Sequence, residues 1–297
     1  RLKMAMPAKL RADLFFERSL KLVAGVSVVS LTAIVVFLCA QAFPAFKEMS
    51  LTDFLFSTEW YPTDDEPSFG IGALIVGSLA CALLTTLIAV PLGVLTAACM
   101  HCGMHEKIRR FVKPLIELMA ALPSVVIGFI GMVVLAPWLQ QTFNIASGLN
   151  LTNAALMLAF MCIPTIASIS EDALKNVPNA LREASLALGA TRWETLVKVE
   201  LRYAMGGICT AIMLGISRVI GETMVVLMVA GGAGIIPESI FDPVRPMTSS
   251  IAAEMAEAAV GSEHYHALYA TGLVLFIVTL VFNLAAWYAA RVGGLKK

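Results

Sequence analysis

Along this chain, long apolar stretches alternate with short polar ones. Six stretches of about 20 residues carry few charges: 22–43, 71–100, 115–137, 151–169, 207–231 and 267–290. A helix of roughly 20 apolar residues crosses the hydrocarbon core of a bilayer. The pattern therefore predicts six transmembrane helices and an all-α polytopic membrane protein. Two stretches hold ionisable groups, Glu117 in the third and Arg218 with Glu222 in the fifth. Composition agrees: 59% of the 297 residues are hydrophobic and 14% are charged, against about 25% charged in soluble domains. Mean hydropathy is +0.83. Soluble, disordered, collagen-like and disulfide-scaffold classes are excluded on these figures. Of six cysteines, Cys39, Cys81, Cys162 and Cys209 fall in apolar runs and read as small hydrophobes.

Net charge is zero, with 21 basic and 21 acidic residues, but the signs are segregated. Eighteen Lys and Arg fall before the first stretch, after the second, after the fourth and after the sixth. The other connections hold only Lys47 and Arg245, and Arg218 lies inside a span. By the positive-inside rule both termini are expected on the cytoplasmic side. Ala40-Gln41-Ala42 resembles a signal-peptidase site, but the preceding apolar run exceeds the usual ~7–15 residues, so 22–43 is read as a retained span. The opposite side carries eleven acids: Glu48, Asp53, Glu59, Asp64, Asp65, Glu66, Glu238, Asp242, Glu254, Glu257 and Glu263. Such a mouth repels a free anion.

Residues 170–206 form the longest basic-side connection and read as two short helices. Asn176 and Pro178 signal a start, and Gly189 signals a stop in left-handed geometry. Thr191 and Glu194 match a capping box that opens the second helix, with Trp193, Leu196, Val197 and Leu201 as its apolar side. This elbow fits either a groove in a partner protein or the lipid interface.

Arg218 lies near the middle of the fifth stretch, where insertion of a charge costs about 2.5–3.5 kcal/mol. Glu222, one helical turn on, is expected to pair with it. The pair reads as a structural ion pair or as an anion station. Glu117 lies four residues after Lys113 and is expected to pair with it or to mark a helix start, with a gate as the second reading. Pro91 and Pro123 are expected to kink their helices. Cys99, His101, Cys102 and His105 have metal-like spacing but lack the second ligand pair of a strong signature, so no metal site is expected. His264 and His266 are expected at a solvated edge. The chain carries no phosphate-loop, zinc-protease or nucleophile-elbow motif. It is expected not to be an enzyme by itself.

Glu183-Ala184-Ser185 followed by Gly189 resembles the EAA loop of importer-type ABC permeases. That family often ends the loop with Leu-Pro, where this chain has Leu201-Arg202. Residues 217–230, SRVIGETMVVLMVA, resemble the signature of phosphate importer permeases of the PstC type. Residues 88–97, 117–137 and 245–258 resemble further motifs of that family in order. The resemblance covers about 70–290. It implies a MetI-like type-1 permease core there, with a coupling loop at 176–201. Before it lie a basic segment (1–21) and the first span (22–43), and after it a tail (291–297). It implies that Arg218, Glu222, Thr223 and Ser217 belong to the substrate pathway. Glu183, Ala184, Ser185 and Gly189 would contact the ATPase. Independently of the resemblance, Glu117 and Pro123 are read from their own positions as gate or structural residues. The implied partners are a second permease (PstA type), two ATPase subunits (PstB type) holding ATP and Mg, an external phosphate-binding protein (PstS type) and membrane lipid, with no nucleic acid. The implied location is a bacterial inner membrane, and no cofactor is expected in this chain. Two alternatives stay open: an ABC permease for phosphonate, sulfate or molybdate, and a stand-alone ion-coupled transporter.

Overall fold

The computed structural model describes residues 8–64 and 66–294. Arg1, Lys3, Asp65, Lys296 and Lys297 lie outside the described residues. The chain opens with α1 (Ala8–Ala42), short helices α2 (Ala45–Glu48) and α3 (Leu51–Phe56), and a hairpin of β1 (Trp60–Tyr61) and β2 (Ser68–Phe69). The hairpin is antiparallel, with Trp60 opposite Phe69. Helix α4 (Gly72–Ala98) follows and ends in a π turn, Cys99–Gly103. Then come α5 (Glu106–Ala120), α6 (Ser124–Ile130), a second π turn, α7 (Ala136–Phe143) and α8 (Leu151–Lys175). The elbow is α9 (Asn179–Ala187) and α10 (Arg192–Thr195), which runs through a π turn (Leu196–Glu200) into α11 (Leu201–Ile220). The chain closes with α12 (Met224–Val229), α13 (Met247–Glu254) and α14 (Glu263–Gly294).

Among the described residues, six helices are long and apolar enough to cross a membrane: Phe16–Lys47, Gly72–Gly103, Ser124–Phe143, Leu151–Lys175, Arg192–Ile220 and Glu263–Ala285. The expected third span, 115–137, is corrected. Leu122 precedes Pro123, and a residue before proline avoids the α conformation. Helix α5 therefore stops at Ala120, Pro123 is extended (ψ 132°), and the crossing helix starts at Ser124. Pro123 thus separates two helices rather than kinking one, whereas α4 runs through Pro91. The fifth span is also broken: α11 ends at Ile220, and α12 begins after Gly221, Glu222 and Thr223.

Helix α8 is the central post. Asn150 caps its start by accepting a hydrogen bond from the Asn153 amide at 3.0 Å. It packs between α4 and α11 through small residues, including Ala82, Ala89, Ala154, Ala159 and Ala211. Hydrophobicity does not drive helices together inside lipid, so close approach over small side chains supplies the contact. Ile166 is wedged between two glycines. A Cβ on Gly93 would stand 2.7 Å from Ile166 Cγ2, and one on Gly215 would stand 2.7 Å from Cys162 Sγ and 2.9 Å from Ile166 Cγ1. By contrast, α1 keeps its apolar window unburied within the chain and leans on α14, where Phe37 meets Tyr269 edge-on at 5.7 Å.

The acid-rich end has its own small core of Phe54, Trp60, Phe69, Ile71, Met247 and Leu268. Glu254 sits at its hub. It accepts hydrogen bonds from Trp60 Nε1 at 2.9 Å, Arg245 Nη1 at 2.8 Å and Ser250 Oγ at 3.0 Å, with His264 Nε2 2.9 Å away. His266 Nδ1 lies 2.8 Å from the Gln41 carbonyl. The expectation of a solvated edge for His264 and His266 is corrected: both are half-buried, and the hub and the α1 terminus each supply a part-buried polar partner. Glu254 is likewise no free surface charge.

The Gly93 contact makes a direct prediction. Gly93→Val overpacks the α4–α8 interface and should destabilise by about 1–3 kcal/mol. In a thermal unfolding assay in detergent its midpoint should fall. Gly103→Ala, whose added carbon meets only Cys99 Sγ at 3.6 Å, should match the unsubstituted protein.

Candidate functional site: two broken helices meeting at Arg218

The two helix breaks face each other. Half-helices α6 and α12 pack through Gly128, where a Cβ would come within 2.9 Å of Met228 Sδ and 3.3 Å of the Val225 Cα. Arg218 occupies the last turn of α11 and is exposed on this face of the chain. Its Nη2 donates to the carbonyl of Ala120 at 3.2 Å. Ala120 is the last residue of α5, so its carbonyl belongs to an unfilled helix C-terminus. Arg218 therefore stands at the negative ends of two helix dipoles, its own and that of α5, and both favour a cation.

The expected Arg218–Glu222 ion pair is corrected: among the described residues, no ion pair joins them. An i,i+4 pair needs an unbroken helix, and Gly221 ends this one with φ −88° and ψ −2°. Glu222 instead caps the next helix. Its Oε1 accepts from the backbone of Met224 at 3.1 Å and of Val225 at 3.4 Å. Its own carbonyl accepts from Thr248 Oγ1 at 2.8 Å. A carboxylate at a helix N-terminus is favoured for the reason that an arginine is at a C-terminus. Each charge is thus compensated by backbone rather than by the other.

The remaining residues fall around this junction. Thr223 Oγ1 turns back to the Gly221 carbonyl at 3.4 Å. Ser217 Oγ hydrogen-bonds Oδ1 of Asn283 in α14. Glu117 accepts from Ser168 Oγ of α8 at 3.2 Å, and Pro123 opens α6 beside Arg218's carbonyl partner. The expected Lys113–Glu117 pair is corrected. Glu171, fully buried in α8, draws Lys113 to 2.9 Å and Lys175 to 2.8 Å, with Arg109 at 4.0 Å. A buried carboxylate left without cations would be far costlier than an unpaired Glu117 near the surface. Lys113 also binds Asp172. Burial alone would lower its pKa, but hydrogen bonds to Asp172 and Glu171 outweigh this and raise it above the ordinary lysine value.

Sequence reasoning missed the Ala120 carbonyl, Ser168 and Asn283. Asn283, a lone amide inside an apolar stretch, carried a readable signal. The Ala120 carbonyl carried none beyond Pro123, three residues on.

At the basic end, the elbow forms as its residues suggested. Glu194 and Thr191 make a complete capping box, with Glu194 N to Thr191 Oγ1 at 3.2 Å and Thr191 N to Glu194 Oε2 at 3.0 Å. Gly189 has φ +84°, which disfavours any side chain. Glu183 and Ala184 are exposed, and Ser185 is half-buried with Oγ 2.9 Å from Thr195 Oγ1. Leu188 is 89% exposed and Trp193 63%. With Leu201-Arg202 in place of Leu-Pro, the helix passes from α10 into α11 without a break. The same end gathers His101, Cys102 and Glu200, whose ligand atoms lie within 4.8 Å of one another. Arg182 Nη2 stands 2.8 Å from His101 Nε2 and its Nε 2.5 Å from Glu200, so two of these three side chains already have a cationic partner.

Comparison with known proteins places this architecture. The "Probable ABC transporter permease protein YqgH" of Bacillus subtilis is 39% identical over 258 residues, covering 86% of this chain and 84% of the relative. The "Phosphate transport system permease protein PstC" of Mesorhizobium japonicum is 33% identical over 300 residues, covering 94% and 90%. Among solved structures, a bacterial alginate ABC transporter in complex with an alginate pentasaccharide-bound periplasmic protein aligns with a TM-score of 0.65 at 16% identity, over 96% of this chain and 98% of that one. The MetNI methionine ABC transporter in an inward-facing conformation aligns with a TM-score of 0.54 at 20% identity, over 75% and 94%. These last two share the fold. Residues 89–293 match the family described as "Binding-protein-dependent transport system inner membrane component", and the chain belongs to it.

Proposed function

We propose that this chain is a permease subunit of an ATP-driven phosphate importer. Arg218 carries the reading. A guanidinium cannot lose its charge, and its planar fork matches an oxyanion. One hydrogen bond to Ala120 fixes it and leaves further N–H donors for a passing anion. The two helix C-termini lower its net positive field, so the anion is held weakly enough to leave. Glu222, held by the α12 amides, adds a repulsive wall on the far side. The naming of several relatives as PstC proteins supports phosphate as that anion.

The exposure of Arg218 on the flank of one chain favours a paired permease over a stand-alone transporter. Left against lipid, the charge would cost about 2.5–3.5 kcal/mol. A second permease of the PstA type covering this face makes a closed route. Two ATPases of the PstB type, which hold ATP and Mg, seat on the elbow through Glu183, Ala184, Ser185 and Gly189, beside exposed Leu188 and Trp193. A PstS-type protein delivers enclosed phosphate at the acid-rich end, which a free anion would avoid. Both termini then lie in the cytoplasm, as the Lys and Arg census requires. Glu117 with Ser168, below Arg218 and next to the Pro123 break, is the gate on the cytoplasmic side.

Uptake of labelled phosphate by the assembled complex in proteoliposomes tests the anion role. Arg218→Gln should lose uptake about 10- to 100-fold, as expected for loss of a charged hydrogen-bond partner worth ~1.5–3 kcal/mol, with unchanged membrane insertion. Wild-type uptake in this variant would remove Arg218 from the pathway. Glu222→Gln keeps an acceptor for the α12 amides and should cost less than Arg218→Gln.

The elbow has a separate test. Gly189→Val forces a β-branched residue to φ +84°, at a cost of about 1–2 kcal/mol. Uptake should fall while the ATPase still co-purifies. Unaltered uptake would count against the elbow as the coupling element.

A further inference from the structure

Beneath the elbow, three segments distant in sequence meet in one buried polar cluster. Glu200, in the π turn after α10, is 2% exposed at its side chain. Its Oε1 accepts from Arg182 Nε of α9 at 2.5 Å. Its Oε2 lies 2.8 Å from Nε2 of His101, in the π turn that ends the second span, and His101 is 5% exposed. Arg182 Nη2 stands 2.8 Å from the same His101 nitrogen, which either donates to Glu200 or accepts from Arg182; both arrangements join the three side chains, since Arg182 is itself bonded to Glu200. A cavity of about 310 Å³, lined also by Leu186, Arg192 and Thr195, opens beside the cluster.

The apolar packing nearby joins other parts. Leu196 and Ala204 pack with Ala97, Ala98 and Leu174, which ties α11 to the ends of α4 and α8. Helix α9 gives no residue to that core and buries none of its own. Its grip on the second span runs through Arg182. A buried carboxylate that loses a cationic partner is strongly penalised, so Glu200 holds Arg182 and His101 together over a range of small displacements.

We infer that Glu200 is a positioning residue for energy coupling: through Arg182 and His101 it fastens the elbow helix to the end of the second span. A push on the exposed face of α9 then moves spans two and five as one body, rather than the fifth alone. The cluster sits at two π turns, a rare backbone form that occurs frequently at functional sites. This inference rests on the permease reading and adds the route by which the elbow acts.

The test uses the full complex with Glu200→Gln and, on a half-exposed partner, Arg182→Gln. Spin labels on exposed Asn179, at the start of α9 and outside the docking residues, and on exposed Leu92 report the distance from elbow to second span with and without nucleotide. The wild type should give one narrow distribution under both conditions. Both variants should broaden or shift when nucleotide binds. ATP turnover should continue in both variants while phosphate uptake falls by roughly tenfold or more. Arg182→Lys, which keeps a cation, should restore most of the uptake per ATP. The inference is overturned if the variants keep the wild-type distribution, or if turnover and uptake fall in parallel. If the wild-type complex moves no phosphate, the permease reading fails, and the label distances still decide the role of Glu200.

Discussion

A guanidinium that cannot discharge sits in the last turn of the fifth apolar helix of this protein, and something must compensate it without consuming all its donors. A carboxylate would do so fully and would close the site. Here helix C-termini do it in part. The break at Ala121–Pro123 exposes the Ala120 carbonyl, and the break at Gly221 places Arg218 in a last turn. Both interruptions are needed, since continuous helices would bond the Ala120 carbonyl internally and bring Glu222 onto Arg218. Irregular backbone at membrane depth is tolerated only where protein or a polar route covers it, and transporters place such breaks at their binding sites.

The rest of the architecture can be read as support for that junction. The α4–α8–α11 post, packed on glycine and alanine, holds α11 rigid up to the break. Gly128 lets α6 and α12 approach until the two half-helices lock. At one end Glu254 gathers Trp60, Arg245 and His264, and Arg245 Nε donates to the Gly232 carbonyl at 2.7 Å just beyond α12. At the other end Glu200 gathers Arg182 and His101. At the acid-rich end the part-buried Glu254, and at the basic end the buried Glu200, thus tie peripheral segments to the spans, while buried Glu171 ties α5 to α8.

Much of this was legible in the residues, and the failures have a common cause. The six spans, the elbow and its capping box follow from apolar run length, Gly189 and the Thr191–Glu194 spacing, all of them local signals. The Arg218–Glu222 and Lys113–Glu117 pairings were inferred from i,i+4 spacing, which holds only while a helix continues and no stronger partner competes. Gly221 ended one helix, and buried Glu171 outbid Glu117 for Lys113. Glu254 and His266 read as surface groups because Trp60 and Gln41, their partners, lie 194 and 225 residues away in the chain, and His264 follows Glu254 into the same hub. The Arg182–Glu200–His101 cluster was hidden for the same reason.

Electron cryo-microscopy of the assembled complex, trapped in mid-cycle with phosphate, tests the central claim most directly. The account predicts oxyanion density within hydrogen-bond reach of Arg218, with the guanidinium still bound to the Ala120 carbonyl and Glu222 still on the α12 amides. A direct Arg218–Glu222 salt bridge, sealed away from the anion's route, would contradict it.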